Sequence, residues 1–310
     1  MEEKGKKGRM DYTLLLIVVL LVVIGLVILY STSAYNGQVK FHDSFYYLKK
    51  QAFATVLGIV LMLFVAGMDY HIWQRLAVFG YLAAVALSVA VMLFGREING
   101  SKRWLALGPF SFQPSEFAKV ALILFLADLV TKNVKTIGKM WTLCRIMFWI
   151  LPIVGLVGAS NLSTAIIILG IGVILIFVAS PKYAQFALMG IAGACFMGIF
   201  LALESYRLER LAIWRNPEKY EKGYQTLQGL YAIGSGGVFG VGIGNSVQKL
   251  GFVPEAQNDM IFSIICEELG LAGAGIIVFL FLLLIWRFFL IASGSRDLFG
   301  ALIATGAMAH

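Results

Sequence analysis

A short basic segment, Met1 to Asp11, gives way to an apolar run from Leu14 to Tyr30. Further apolar runs lie at Ala52 to Gly67, Leu76 to Phe94, Ser115 to Val130, Ile146 to Gly158, Thr164 to Ala179 and Phe186 to Leu203. A long run from Ile261 to Ala292 follows, and a last one from Leu298 to Ala309. A bilayer core of about 30 Å takes about 20 helical residues to cross. Backbone groups in lipid must pair within their own segment, so each run is predicted to be helix. The pattern predicts an all-α polytopic membrane protein of about nine hydrophobic spans. The Ile146 run is short and borrows polar flanks, whereas the Ile261 run is long enough for a tilted span plus an interfacial turn. Ser31-Thr-Ser-Ala34 could pass for a cleavage site, but the first run is long for a secretory h-region and more spans follow. It is read as an uncleaved anchor.

Composition agrees with this pattern. The chain has 310 residues, 60% hydrophobic and 14% charged, where soluble domains carry about 25% charged residues. The excess is too large for one buried core, so lipid must solvate most of the surface. The net charge of +8 fits basic loops that face anionic lipid and set topology. No aromatic-rich basic stripe or zinc pattern points to nucleic acid. Cys144, Cys195 and Cys266 show no CxxC spacing, and His42, His71 and His310 form no ligand cluster, so no metal site is legible.

With the N-terminus cytoplasmic, Lys4, Lys6, Lys7, Arg9, Arg75, Lys132, Lys135, Lys139, Arg145, Lys182, Arg287 and Arg296 fall inside. The short outside loops then hold Lys40, Lys49, Lys50, Arg96, Lys102 and Arg103, and the bias favours this orientation. Residues 1–310 read as a single transmembrane domain with two conspicuous outside segments, Gly95 to Pro114 and a large loop at residues 204–260. Long ordered loops are usually functional. Within the second loop, Leu227 to Gly244 is too glycine-rich for a span and is predicted to be re-entrant or surface-lying.

Several positions could carry chemistry. Asp259 sits where the large loop meets the Ile261 run. Two readings fit it: a helix N-cap, or a partly desolvated carboxylate acting as a general base. Asn258 could take the cap and free Asp259. Glu267 and Glu268 lie about 12 Å further along a helix at ~1.5 Å per residue. Ionisable groups at that depth are rare; they are either functional or line a wet cavity that anchors neighbouring helices. Pro114 and Ser115 mark a helix start, and Glu116 and Lys119 share a face of its first turn. These two are either a local ion pair or, with Lys102 and Arg103, part of a cationic site for an anionic headgroup. The glycine-dense Gly234 to Gly244 fits no nucleotide-binding fingerprint.

Taken in order, Asn99-Gly-Ser-Lys-Arg-Trp, Gln113-Pro-Ser-Glu-Phe-Ala-Lys, Gly223-Tyr-Gln, Gly240-Val-Gly-Ile-Gly-Asn-Ser-Val-Gln-Lys, Val253-Pro-Glu and Asp259-Met-Ile-Phe with Glu267-Glu-Leu-Gly resemble one family. It is the SEDS family (shape, elongation, division and sporulation) of FtsW/RodA/SpoVE-type peptidoglycan polymerases. Gly244-Asn-Ser-Val-Gln-Lys249 is similar to the FtsW division branch. Two positions depart from the family pattern: Asn161 where a carboxylate is usual, and Gln257-Asn258 where His-Thr is usual. Ten spans are expected of the family, and the chain stops inside the expected ninth, as a truncated form would.

The resemblance implies polymerisation of lipid II into β-1,4 glycan outside the bacterial cytoplasmic membrane. Asp259 would be the base, and undecaprenyl pyrophosphate would be released. Lys102, Arg103 and Lys119 would balance the pyrophosphate charge, with Arg210 and Arg215 as weaker candidates. Glu116, Gln248, Lys249, Glu255, Glu267 and Glu268 complete the implied substrate site. A divalent cation, Mg2+ or Mn2+, could assist, though no ligand set is legible. The implied partners are a monofunctional penicillin-binding transpeptidase and other divisome membrane proteins. The alternatives are a lipid II flippase, which would place its polar groups near mid-bilayer, and a noncatalytic division scaffold.

Overall fold

The computed structural model describes residues 10–98, 101–107, 110–187, 190, 213 and 215–310. Its helices are α1 (Tyr12–Phe41), α2 (Tyr46–Ala66), α3 (His71–Phe94), α4 (Pro114–Asn133), α5 (Met140–Gly158), α6 (Leu162–Ala179), α7 (Tyr224–Gly236), α8 (Ile261–Ser293) and α9 (Leu298–Ala309). Six of them, α1, α2, α3, α5, α6 and α8, are long and apolar enough to cross a membrane. The multi-span all-α architecture predicted from the pattern is the one found. The expected span from Phe186 to Leu203 lies mostly outside the described residues.

The helices extend beyond the apolar runs because polar residues at their ends satisfy free backbone groups. Asp11 caps α1 by accepting the Leu14 amide at 2.9 Å. Asn161 caps α6 through the Thr164 amide at 3.2 Å, so the neutral side chain performs a capping role with no carboxylate. Asp297 caps α9 through the Gly300 amide at 2.6 Å.

The chain divides into two compact units, Met1–Gly67 with Ala194–Ile285, and Met68–Gly193 with Trp286–His310. In the second unit α4 is the central helix. Ala118, Leu122, Leu126 and Val130 are fully buried against α3, α5, α6 and α9. Its charged residues are paired: Lys132 bonds Asp128 at 2.6 Å, and Gln74 of α3 donates to the same carboxylate at 2.9 Å. Pairing lets ionisable groups sit in a packed helix without bare charge.

Between α3 and α4 lies a small antiparallel sheet, ordered β1 (Arg96–Ile98), β2 (Ser101–Leu107), β3 (Phe110–Phe112). Glu97 pairs with Lys102, and Leu105 with Phe112. The predicted loop Gly95 to Pro114 is therefore largely strand.

The first unit is organised by a break in α8. Gly270 adopts φ 67 and ψ −172, which interrupts the helix. A break of this kind frees carbonyls before it and amides after it, and these must find other partners. Residues 237–242 supply them. The Val241 and Gly242 amides donate to the Glu267 and Glu268 carbonyls, both at 2.9 Å. The Leu271 and Ala272 amides donate to the Gly237 and Val238 carbonyls at 2.9 and 3.0 Å. The stretch Leu227 to Gly244 thus resolves into α7 and a glycine loop that completes the broken helix.

Candidate active site

The loop between the glycine segment and α8 is built from buried polar contacts in the first unit. Lys249 Nζ lies 2.6 Å from Glu268 Oε1 and donates to Ser31 Oγ at 2.9 Å. The Ser31 hydroxyl lies 2.7 and 2.8 Å from the two Glu268 oxygens. Glu268 is 1% exposed and Lys249 5%, so neither charge has water to fall back on and each depends on the other. The neighbouring Glu267 carboxylate accepts from the Ser246 hydroxyl and, at 3.0 Å, from the Val247 amide. Both glutamates fasten the loop at residues 246–249 to α1 and α8. Of the two readings open for them, the geometry favours the anchoring one.

From Lys249 the chain runs to α8 through two tight bends, with φ 103 at Gly251 and φ 53 at Glu255. Val253 and Ala256 are buried with Ala232 of α7 and Ile264 of α8. Gln257 is buried and accepts from Asn36 Nδ2 of α1 at 2.8 Å. Asn258 gives its side-chain amide to Glu255 Oε2 at 2.6 Å, while its carbonyl accepts the Ile261 amide at 3.3 Å. Asp259 is exposed, and among the described residues its carboxylate makes no hydrogen bond and no ion pair. It is not a helix cap. The partial desolvation of its other reading is not seen either, since the residue is exposed. Gln248 carries a buried side-chain oxygen with no partner among the described residues.

Of the other predicted residues, Lys102, Arg103, Glu116 and Lys119 lie in the second unit and Arg215 in the first. Lys102 and Arg103 are exposed neighbours on β2, and consecutive strand residues point to opposite faces. Arg103 turns to the α5–α6 junction, its Nε donating to the Ser160 carbonyl at 3.1 Å. There it lines a small cavity with Gln113, Ser115 and Asn161. Lys119 pairs with Glu116 at 2.8 Å, the lysine 10% exposed and the carboxylate 52%. The local ion pair is therefore present. Arg215 is exposed, and Arg210 lies outside the described residues. No group of three or more His, Cys, Asp or Glu among the described residues is placed to hold a metal ion.

Sequence reasoning missed Ser31, Asn36 and Ser246. The sequence shows three hydroxyl residues in a row, Ser31, Thr32 and Ser33, after an apolar run, and Ser246 within the Gly240 to Lys249 motif; the burial of those hydroxyl residues is seen only in the structure.

A multi-span helical membrane protein that presents an unpaired carboxylate on a pinned loop beside a broken helix is the class these features define. The family model described as cell cycle protein, FtsW/RodA/SpoVE, matches residues 12–310, and the chain belongs to that family. It is 38% identical to stage V sporulation protein E of Bacillus subtilis over 97% of this chain and 84% of the relative. It is 34% identical to the protein named "Probable peptidoglycan glycosyltransferase FtsW" of Trichlorobacter lovleyi, over 96% and 79%. Among solved structures, a chain from work on the structural coordination of polymerization and crosslinking by a peptidoglycan synthase complex superposes with TM-score 0.78 at 28% identity, covering 96% of this chain and 83% of that one. The rod shape determining protein RodA of Thermus thermophilus superposes with TM-score 0.68 at 26% identity, over 96% and 80%.

Proposed function

We propose that this protein is a peptidoglycan glycosyltransferase that polymerises lipid II into β-1,4 glycan at the outer face of the bacterial cytoplasmic membrane, with Asp259 as general base. The observation that carries the reading is the state of Asp259: an exposed carboxylate, free of hydrogen bonds among the described residues, on a loop whose Lys249, Gln257 and Asn258 side chains are engaged. Family membership and the relatives' names supply the reaction class.

The acceptor sugar 4-hydroxyl passes its proton to Asp259 as its oxygen attacks the donor anomeric carbon. The bond from that carbon to the pyrophosphate oxygen breaks, and undecaprenyl pyrophosphate departs with the electron pair. Such a leaving group needs little protonation, so one carboxylate suffices where glycosidases use two. Developing negative charge calls for fixed cations, and Arg215, exposed in the same unit as Asp259, is a candidate for that role. The N-terminus is cytoplasmic in this reading, the role is in septal wall synthesis, and a penicillin-binding transpeptidase cross-links the product.

The test is lipid II polymerisation by purified protein with its transpeptidase partner, wild type beside Asp259→Asn. Glycan from the wild type alone supports the assignment. Full polymerisation by a well-folded Asp259→Asn chain refutes it. No glycan from the wild type, with lipid II crossing liposomes instead, points to a flippase.

A further inference from the structure

Asp259 makes no side-chain bond among the described residues, so nothing at the carboxylate itself fixes where it stands. Its place is set by the backbone that carries it. That backbone is held at Lys249, by the buried pair with Glu268 and the bond to Ser31, and at Gln257, by the bond from Asn36. Ser31 and Asn36 lie on the same helix, α1. Between the two anchors, Val253 and Ala256 are buried among apolar side chains, and the Val253 amide donates to the Gln248 carbonyl at 2.9 Å. Gln257 stands two positions before Asp259, nearer than any other side-chain tether to another helix.

We propose that Gln257 is a positioning residue: bonded to Asn36, and with Lys249 locked to Ser31 and Glu268, it holds the loop so that Asp259 meets the acceptor hydroxyl. The inference rests on Asp259 being the reacting base. Gln257 does not touch substrate; it acts through the place it gives its neighbour. A displacement of about 1 Å can cost about a hundredfold in rate when a reacting group is aimed by its surroundings. Loss of the bond therefore lowers turnover and leaves lipid II affinity in place. The reciprocal swap, Asn36→Gln with Gln257→Asn, keeps two amides and the summed side-chain length, and restores the tether.

The experiment has two readouts. Turnover is measured with Asp259 intact in wild type, Gln257→Leu and the swap. Separately, a nitroxide is attached at position 259 in Asp259→Cys chains whose Cys144, Cys195 and Cys266 are replaced by alanine, and its mobility is read by electron paramagnetic resonance. Gln257→Leu is expected to lower kcat by about tenfold or more with KM held within about twofold, and to mobilise the label. The swap returns both towards wild type. Asn36→Ala, which removes the same bond from the other side, is read in place of Gln257→Leu if that chain fails to fold. A label equally immobile in all folded chains overturns the proposal, and so does a loss of activity that comes through KM alone. The label needs no turnover: a wild type that makes no glycan removes the polymerase assignment, while label mobility still decides whether Gln257 holds the loop.

Discussion

A Cβ placed on Gly240 would stand 2.6 Å from the backbone nitrogen of Gly270. The two glycines, at φ 78 and φ 67, let the glycine loop and the broken helix meet backbone to backbone. Gly240→Ala and Gly270→Ala each combine this overlap with a left-handed conformation that costs an L-residue roughly 1–2 kcal/mol. Each is expected to lower the detergent-extracted melting temperature sharply or to prevent folding. Gly275→Ala, at a helical position with nothing within 4 Å of the added atom, is expected to be neutral or to stabilise by about 0.5–1 kcal/mol. Equal melting temperatures across the three variants would contradict this account of the break.

Lys249 and Glu268 form a second coupled pair. Lys249→Met strands a buried carboxylate with only Ser31 beside it and is expected to cost about 3–5 kcal/mol. Adding Glu268→Leu removes the stranded charge and is expected to recover most of that loss, since apolar replacements of buried ion pairs are often neutral. The measurement is a double-mutant cycle on thermal unfolding. Additive losses would mean that the two residues do not depend on each other.

Asp259→Asn keeps the size of the side chain and removes its basicity. With no bond from that side chain among the described residues, the unfolding free energy is expected to stay within about 0.5 kcal/mol of wild type, as for surface changes away from packed features. Polymerisation is expected to fall by at least the 10²–10⁴-fold typical of losing a general base.

Stability should also respond to alkaline pH through Tyr70. Burial and then the Asp297 carboxylate, which accepts its hydroxyl at 2.6 Å, push the Tyr70 pKa from 10.0 up to about 12. A raised folded value means that the unfolded chain loses its proton first. The stabilisation is complete below pH ~10 and disappears as pH rises to about 12. Tyr70→Phe is expected to flatten that part of the melting curve against pH. A curve that declines equally in both chains would place the alkaline sensitivity elsewhere.

The apolar spans were legible because hydropathy alone decides them, and the runs at Leu76 and Thr164 match α3 and α6 closely. Helix ends were less so. α1 continues to Phe41, well past Tyr30, and its Ser31 and Asn36 are used as bonding partners, a fact that depends on residues more than two hundred positions away. The small sheet escaped for a different reason. Its strands are as short as three residues, too short for alternation to register, although Asn99-Gly100 and Gly108-Pro109 are turn dipeptides by sequence. Within the candidate site, Asp259 was singled out by its motif and by its place before the Ile261 run. The anchoring role of Glu267 and Glu268 could not be, because it depends on which residues face them across the fold.

The break at Gly270 separates two kinds of motion that an unbroken helix would merge. In a continuous α8 the Leu271 and Ala272 amides would exchange with deuterium as the helix itself frays. Here they are held by the Gly237 and Val238 carbonyls, so their protection reports withdrawal of the glycine loop. Those two amides are a built-in clock for opening of the segment that leads into the loop carrying Asp259, readable in the resting protein with no label attached.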